Sequence, residues 1–212
     1  MRFNRRTVLI ITKPAALPVA LADMKTYLNI TGAQDDALLT VFIEAAADAI
    51  RQYLGRSLVT ETLELRMDAF PGYDDEAVIR LGPGVHTYHY NSLVSGGATV
   101  DLPFGPVASI TSITTFNRAN SGTVFSSANY QADSGRVYLN EGQSWPSDLR
   151  DRDAVAIRYV SGQAAVDLPP AIVQAVKQHV AVMYECREGC ELPAACKAML
   201  AAYCRVDQLG WR

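Results

Sequence analysis

Cysteine is absent before position 186: all four, Cys186, Cys190, Cys196 and Cys204, fall near the end of a 212-residue chain. Such crowding excludes a disulfide framework spread across a small secreted fold. Charge is sparse, at 19% of residues, and the net charge of −3 offers no general attraction to nucleic acid or anionic lipid. The apolar run Val8-Leu9-Ile10-Ile11 ends at Lys13-Pro14. It is shorter than a signal-peptide core of about 7–15 residues or a membrane span of about 20. Phosphate loops, dinucleotide fingerprints, the Gly-x-Ser-x-Gly elbow and the His-Glu-x-x-His pair are all missing. No repeat or low-complexity tract interrupts the chain. Hydrophobic residues, at 49%, are plentiful enough to bury a real core in one large domain or in a domain carrying an insertion.

The residues that chemistry would need are poorly placed for it. Cys186 and Cys190, one helical turn apart, supply at most half a zinc site with His179 as a distant helper, whereas structural zinc takes two tight pairs. Reduced thiols packed as small apolar side chains are the favoured reading. Cys186 and His179 are about two helical turns apart, too far for a thiolate–imidazole pair. His86 and His89 fall on opposite faces of a strand. Asp74-Asp75-Glu76 reads as a solvated loop rather than a calcium site. Arg2, Arg5 and Arg6 read as a solvated N-terminal tail. The alternating charges from Asp148 to Asp153 mark an exposed connection anchored by Trp145-Pro146. Neither enzyme, metal nor cofactor is expected.

Helix, strands and helix follow one another along the chain. From Asp35 to Leu54 the positions Leu38, Leu39, Phe42, Ile43, Ala46, Ile50, Tyr53 and Leu54 keep helical spacing, and Asp36, Thr40, Glu44, Asp48 and Gln52 mark the other face. The acidic start suits the helix dipole and Gly55 suits the stop. A shorter helix precedes it after Pro18. Between Leu58 and Val160 the texture is that of strands: 58–67, 77–81, 87–93, 98–102, 109–116, 129–132, 136–139 and 154–159, separated by Gly and Pro turns. Ser95-Gly96-Gly97 suggests a projecting hairpin within 82–105. Pro169-Pro170 opens a further helix carrying Ile172, Val173, Val176, Val180, Met183 and Tyr184 on one stripe, and another starts near Pro193. The expected class is α+β, with a helical part at 1–57, an antiparallel sandwich or barrel-like insertion at 58–162, and a helical part at 163–212 packing on the first to form a bundle.

Several phrases, in order, carry a resemblance. Leu21 to Leu28 reads Leu-Ala-x-x-Lys-x-Tyr-Leu, Asp35 to Leu39 reads Asp-Asp-x-Leu-Leu, and Tyr53 to Leu58 reads Tyr-x-Gly-Arg-x-Leu. Asp68 to Pro71, Pro106 to Ile113, Val155 to Gly162 and Leu168 to Ile172 follow. Together they resemble the head-to-tail connector, or adaptor, family of long-tailed bacteriophages and gene-transfer particles. Two stretches depart from that pattern: Gly82 to Gly105 is longer than the family's usual link, and the cysteine-bearing C-terminus has no counterpart.

The resemblance implies a structural virion protein made in the host bacterial cytoplasm. About a dozen copies would form a ring that docks on the portal, meets a tail-side stopper or completion protein, and continues the DNA channel without sequence-specific binding. An acidic wall suits a conduit, since strong phosphate contacts would retard passing DNA. Candidate interface residues are Asp36, Glu44 and Arg51 on the long helix, Arg56 just past its end, and Leu209, Trp211 and Arg212 in a tail that would dock the portal, where a buried Trp is a strong anchor. Two other readings remain. One is a monomeric β-sandwich binding module, for instance for a sugar, with Tyr88, Tyr90 and Trp145 as platform; the other is a zinc enzyme using the C-terminal cysteines.

Overall fold

The computed structural model describes residues 5–70, 76–81, 87–91, 99–133, 135–187 and 190–204. The chain divides into two compact units, one made of Pro14–Thr60 with Gly162–Arg212, the other of Met1–Lys13 with Glu61–Ser161.

The first unit is helical: α1 (Leu21–Tyr27), α2 (Asp36–Leu54), α3 (Pro170–Cys186) and α4 (Ala194–Leu200). In α2 the buried residues Leu39, Ile43, Ala46, Ile50 and Leu54 fall on one stripe. The helix stops at Gly55, whose φ of 60° is the left-handed turn that a glycine adopts freely. Helix α3 starts on Pro170 and buries Ile172, Ala175, Val176, His179, Val180 and Met183. These faces, with Met24, Leu168, Cys196 and Leu200, form one apolar core. Polar ties fix the helices around it. Lys25 Nζ donates to Asp36 Oδ1 at 2.7 Å, Tyr184 Oη to Asp35 Oδ2 at 2.7 Å, and Tyr53 Oη to the Lys197 carbonyl at 3.3 Å.

The ends of the two helical segments meet at 58–60 and 162–163, where Thr60 N–H donates to the Gln163 carbonyl at 3.1 Å and Gln163 N–H to that of Leu58 at 3.4 Å. Gly162 sits there with φ +95°, and a Cβ on it would overlap the Val59 carbonyl. Gly162→Ala should therefore destabilise the protein by at least about 2 kcal/mol, read as a lowered Tm.

His179 is 2% exposed, and among the described residues its Nδ1 has no hydrogen-bond partner. Burial holds its pKa below the ordinary value, so the native form is neutral. Below about pH 6.5 the unfolded chain takes up a proton that the native chain refuses, and stability falls as pH falls toward the native pKa. His179→Leu should flatten that part of a Tm–pH curve at no cost in stability at neutral pH.

The second unit holds β1 (Arg5–Thr12), β2 (Glu61–Met67), β3 (Glu76–Leu81), β4 (Thr87–Asn91), β5 (Thr99–Asp101), β6 (Val107–Phe116), β7 (Gly122–Val124), β8 (Tyr130–Asp133), β9 (Arg136–Leu139) and β10 (Val155–Ser161). Seven strands form one sheet in the order β4-β3-β1-β2-β10-β6-β7; β5, β9 and β8 form another. Leu63, Leu65, Met67, Ile113, Val155, Ile157 and Tyr159 of the larger sheet share a core with Val100 and Val137 of the smaller. Phe70 stacks on Trp145 at 4.1 Å, and Phe125 tilts against the same indole at 5.5 Å, so Trp145 anchors its loop. Arg150 also holds that loop, donating from Nη2 to the Asp153 carbonyl at 2.7 Å and lying over the Phe116 ring. The turn before β6 is pinned by Tyr159 Oη on the Pro103 carbonyl at 2.7 Å and by the Ser161 hydroxyl on the carbonyls of Phe104 and Pro106.

Four features differ from the sequence reading. Residues 5–12 are a central strand of the sheet rather than a tail, and Arg6 is 2% exposed. The run Val8–Ile11, too short for a membrane, is long enough for a strand. This strand pairs parallel with β3 and antiparallel with β2, so the sheet is mixed. Strand β7 was not expected; its three residues, all exposed, carry no burial pattern to read. Leu38, assigned to the buried stripe of α2, is exposed. The hairpin tip at Ser95-Gly96-Gly97 lies outside the described residues.

Candidate functional site

The candidate interface residues do not form one cluster. Asp36 opens α2 and is occupied by Lys25, an ion pair that ties α1 to α2. Arg51 and Arg56 are partly buried at the other end. Fifteen residues separate Asp36 from Arg51, about 22 Å along the helix. Glu44 is exposed between them, and so is Asp48. Leu209, Trp211 and Arg212 lie outside the described residues.

The environment of Glu44 has a feature that the periodicity concealed. Leu38 is 37% exposed and Val41 59% exposed, and Ala37 and Ala45 are exposed beside them. Residues at 37, 41, 45 and 48 share a helix face, so the first half of α2 shows an apolar strip to solvent with an acidic margin. Val41 fits no buried stripe of a 3.6-residue period, and that was the signal available in the sequence.

A second feature, on the larger sheet, went unread because its members are far apart in the chain. The register aligns Leu9, Glu64, Arg158 and Ser112 in one row, and Thr7, Arg66, Ala156 and Thr114 in the next, on the face turned away from the core. The Glu64 side chain is 5% exposed. Its Oε1 accepts from Arg66 Nε at 2.8 Å; its Oε2 accepts from Arg158 Nη2 at 2.7 Å and Nε at 3.1 Å. Burial by itself would raise the Glu64 pKa, but the hydrogen bonds from Arg158 and Arg66 outweigh it and hold the carboxyl below its ordinary value.

The C-terminal thiols vary in setting: Cys186 is exposed, Cys190 and Cys204 are partly buried and Cys196 is buried, with its pKa pushed up by burial. Among the described residues no three metal-ligating side chains come together. Trp145, packed on Phe70 and Phe125, offers no free stacking platform, and the side chains of Tyr88 and Tyr90 lie outside the described residues.

Comparison with solved structures finds the same fold in chains of gene transfer agent (GTA) particles. A chain in the neck of the empty GTA particle, computed with C6 symmetry, superposes with a TM-score of 0.71 at 21% identity, covering 94% of this chain and 95% of that one. A chain in the neck of the native GTA particle, computed with C12 symmetry, gives 0.69 at 21% identity over the same shares. A chain of the virion of the native GTA particle gives 0.67 at 20% identity, again over 94% and 95%. At such identity the likeness is one of fold. Among curated proteins none matches. Residues 18–143, more than half of the chain, match the model of the phage gp6-like head-tail connector protein, and the chain belongs to that family.

Proposed function

We propose that this protein is a ring-forming adaptor of the head-to-tail junction, docked on the portal and continuing the DNA channel toward the tail. The observation that carries the reading is the family match over residues 18–143, together with an end-to-end likeness to chains of a particle neck. Connectors of this family are structural parts of a virion, not enzymes. About twelve copies is the number favoured, since the related necks were computed with C12 and C6 symmetry and a twelvefold ring contains a sixfold one. On this reading the four helices make up a bundle, and the β unit, completed by Arg5–Thr12, is inserted between α2 and α3. Tail-side partners would be a stopper or completion protein.

The exposed strip of α2 suits a contact between neighbouring copies. An apolar centre at Val41 with Glu44 at its margin has the composition of an interface core and rim. Arg51 and Arg56 extend that contact at the far end of the helix. Leu209, Trp211 and Arg212 would dock the portal, where an aromatic anchor can dominate the binding energy.

Native mass spectrometry and electron microscopy of the chain mixed with its particle's portal should show a ring of about twelve subunits on the portal. A chain that stays monomeric and leaves the portal bare would refute the reading. Val41→Asp, at an exposed position, should leave Tm almost unchanged yet reduce ring formation at least about tenfold. Deleting residues 208–212 should weaken portal binding while leaving self-association intact; undiminished portal binding would remove the tail from the docking role.

A further inference from the structure

The Arg66–Glu64–Arg158 group is built in a way that a solvent-facing ion pair does not require. Glu64 is buried, and its two oxygens each hold one arginine, so both guanidinium groups are fixed side by side on the sheet. Each arginine side chain is nevertheless 44% exposed. Among the described residues, neither Nη of Arg66 nor Nη1 of Arg158 has a hydrogen-bond partner. One carboxylate between two guanidiniums leaves a net positive charge, with its donors facing outward. Asp68, near this edge of the face, accepts from the backbone N–H groups of Arg5 and Asp153 at 3.3 and 2.9 Å. Arg5 itself is exposed.

We infer that this face binds the phosphodiester backbone of duplex DNA, with Arg66 and Arg158 as paired phosphate ligands. The inference rests on the conduit reading above and names the surface that would meet the DNA. A guanidinium fork matches phosphate oxygens in geometry, and one already held by a buried carboxylate loses little side-chain freedom on binding. The same two rows supply the hydroxyls of Thr7, Ser112 and Thr114, each partly exposed, and hydroxyls are regular partners of DNA phosphates. These rows carry no aromatic residue, whereas protein–protein interfaces are enriched in aromatic side chains. A site of two arginines per subunit is also suited to moving DNA. It neutralises about two phosphates, so each contact is weak, readily exchanged and indifferent to sequence.

The test is fluorescence anisotropy of the full chain with a short labelled duplex of arbitrary sequence, at low salt and over a salt series, with Tm recorded for every variant. Wild type should bind without sequence preference and lose affinity with salt at a log–log slope of about −2. Arg66→Gln should weaken binding at low salt about threefold or more and reduce the salt slope by about one. Arg118→Gln removes an equal charge from the exposed turn between β6 and β7, outside the two rows, and should leave affinity unchanged. Arg158→Gln strips a buried carboxylate of its strongest partner and risks unfolding, so the comparison of Arg66 with Arg118 is decisive. In a parallel titration watched by NMR, the Arg66 and Arg158 Nε–H signals should shift on adding duplex. Absence of duplex binding, or equal losses for Arg66→Gln and Arg118→Gln, would overturn the inference. So would Arg66→Gln disrupting association between copies while leaving DNA binding intact, because the face would then belong to a protein contact. A chain that assembles on the portal yet binds no duplex refutes this inference alone; one that does neither refutes the conduit reading with it.

Discussion

The larger sheet depends on one strand. Arg5–Thr12 hydrogen-bonds to β2 on one side and to β3 on the other. Without it the β3–β4 pair would have no ladder to the four-stranded remainder, and both new edges would expose unpaired N–H and C=O groups. Its central position also explains its composition. Arg6 and Val8 face the core side of the sheet in register with Met67 and Leu65, while Thr7 and Leu9 join the polar face that carries Glu64 and Arg66. Because strand side chains alternate, a slip of one residue would exchange those two faces.

A carboxylate as buried as Glu64 is costly unless its lone pairs are filled, and the two arginines fill them at 2.7 to 3.1 Å. The triad therefore stabilises less than its Coulomb attraction suggests, but it determines where two guanidinium groups stand. Helix α2 shows the complementary arrangement, with a buried stripe that holds the helical core and an exposed apolar strip bordered by acid. The acidic chain thus carries one sheet face with two exposed arginines and one helix face with an exposed apolar strip.

Legibility varied with the range of the interactions involved. The helix from Asp36 to Leu54 was readable because its buried positions recur within a few residues and its stop signal, Gly55, adjoins the last turn. Most strands were readable because glycine and proline turns bracket them. The N-terminal strand was not, since its ladder partners begin at Thr62 and nothing local to residues 5–12 separates a central strand from an apolar tail. The Glu64–Arg158 bond joins residues 94 apart, so no window of sequence contains the site. Leu38 was misplaced for a related reason: its neighbour Leu39 is buried on the same turn, and only the packing of the other helices shows which flank of the stripe faces solvent.

Family membership lay in the order and spacing of short phrases from Leu21 to Ile172, which are records of local packing and turn chemistry. By itself, the sequence determined the α+β class, the long amphipathic helix and the positions of most strands, because periodicity and turn residues act over one or two helical turns. The tertiary structure alone decided that residues 5–12 complete the sheet, that Arg66 and Arg158 share one buried carboxylate, and that Val41 faces solvent. Each of these depends on strand register or helix packing between distant segments, and such pairings are chosen by the free energy of the whole fold rather than by any local preference.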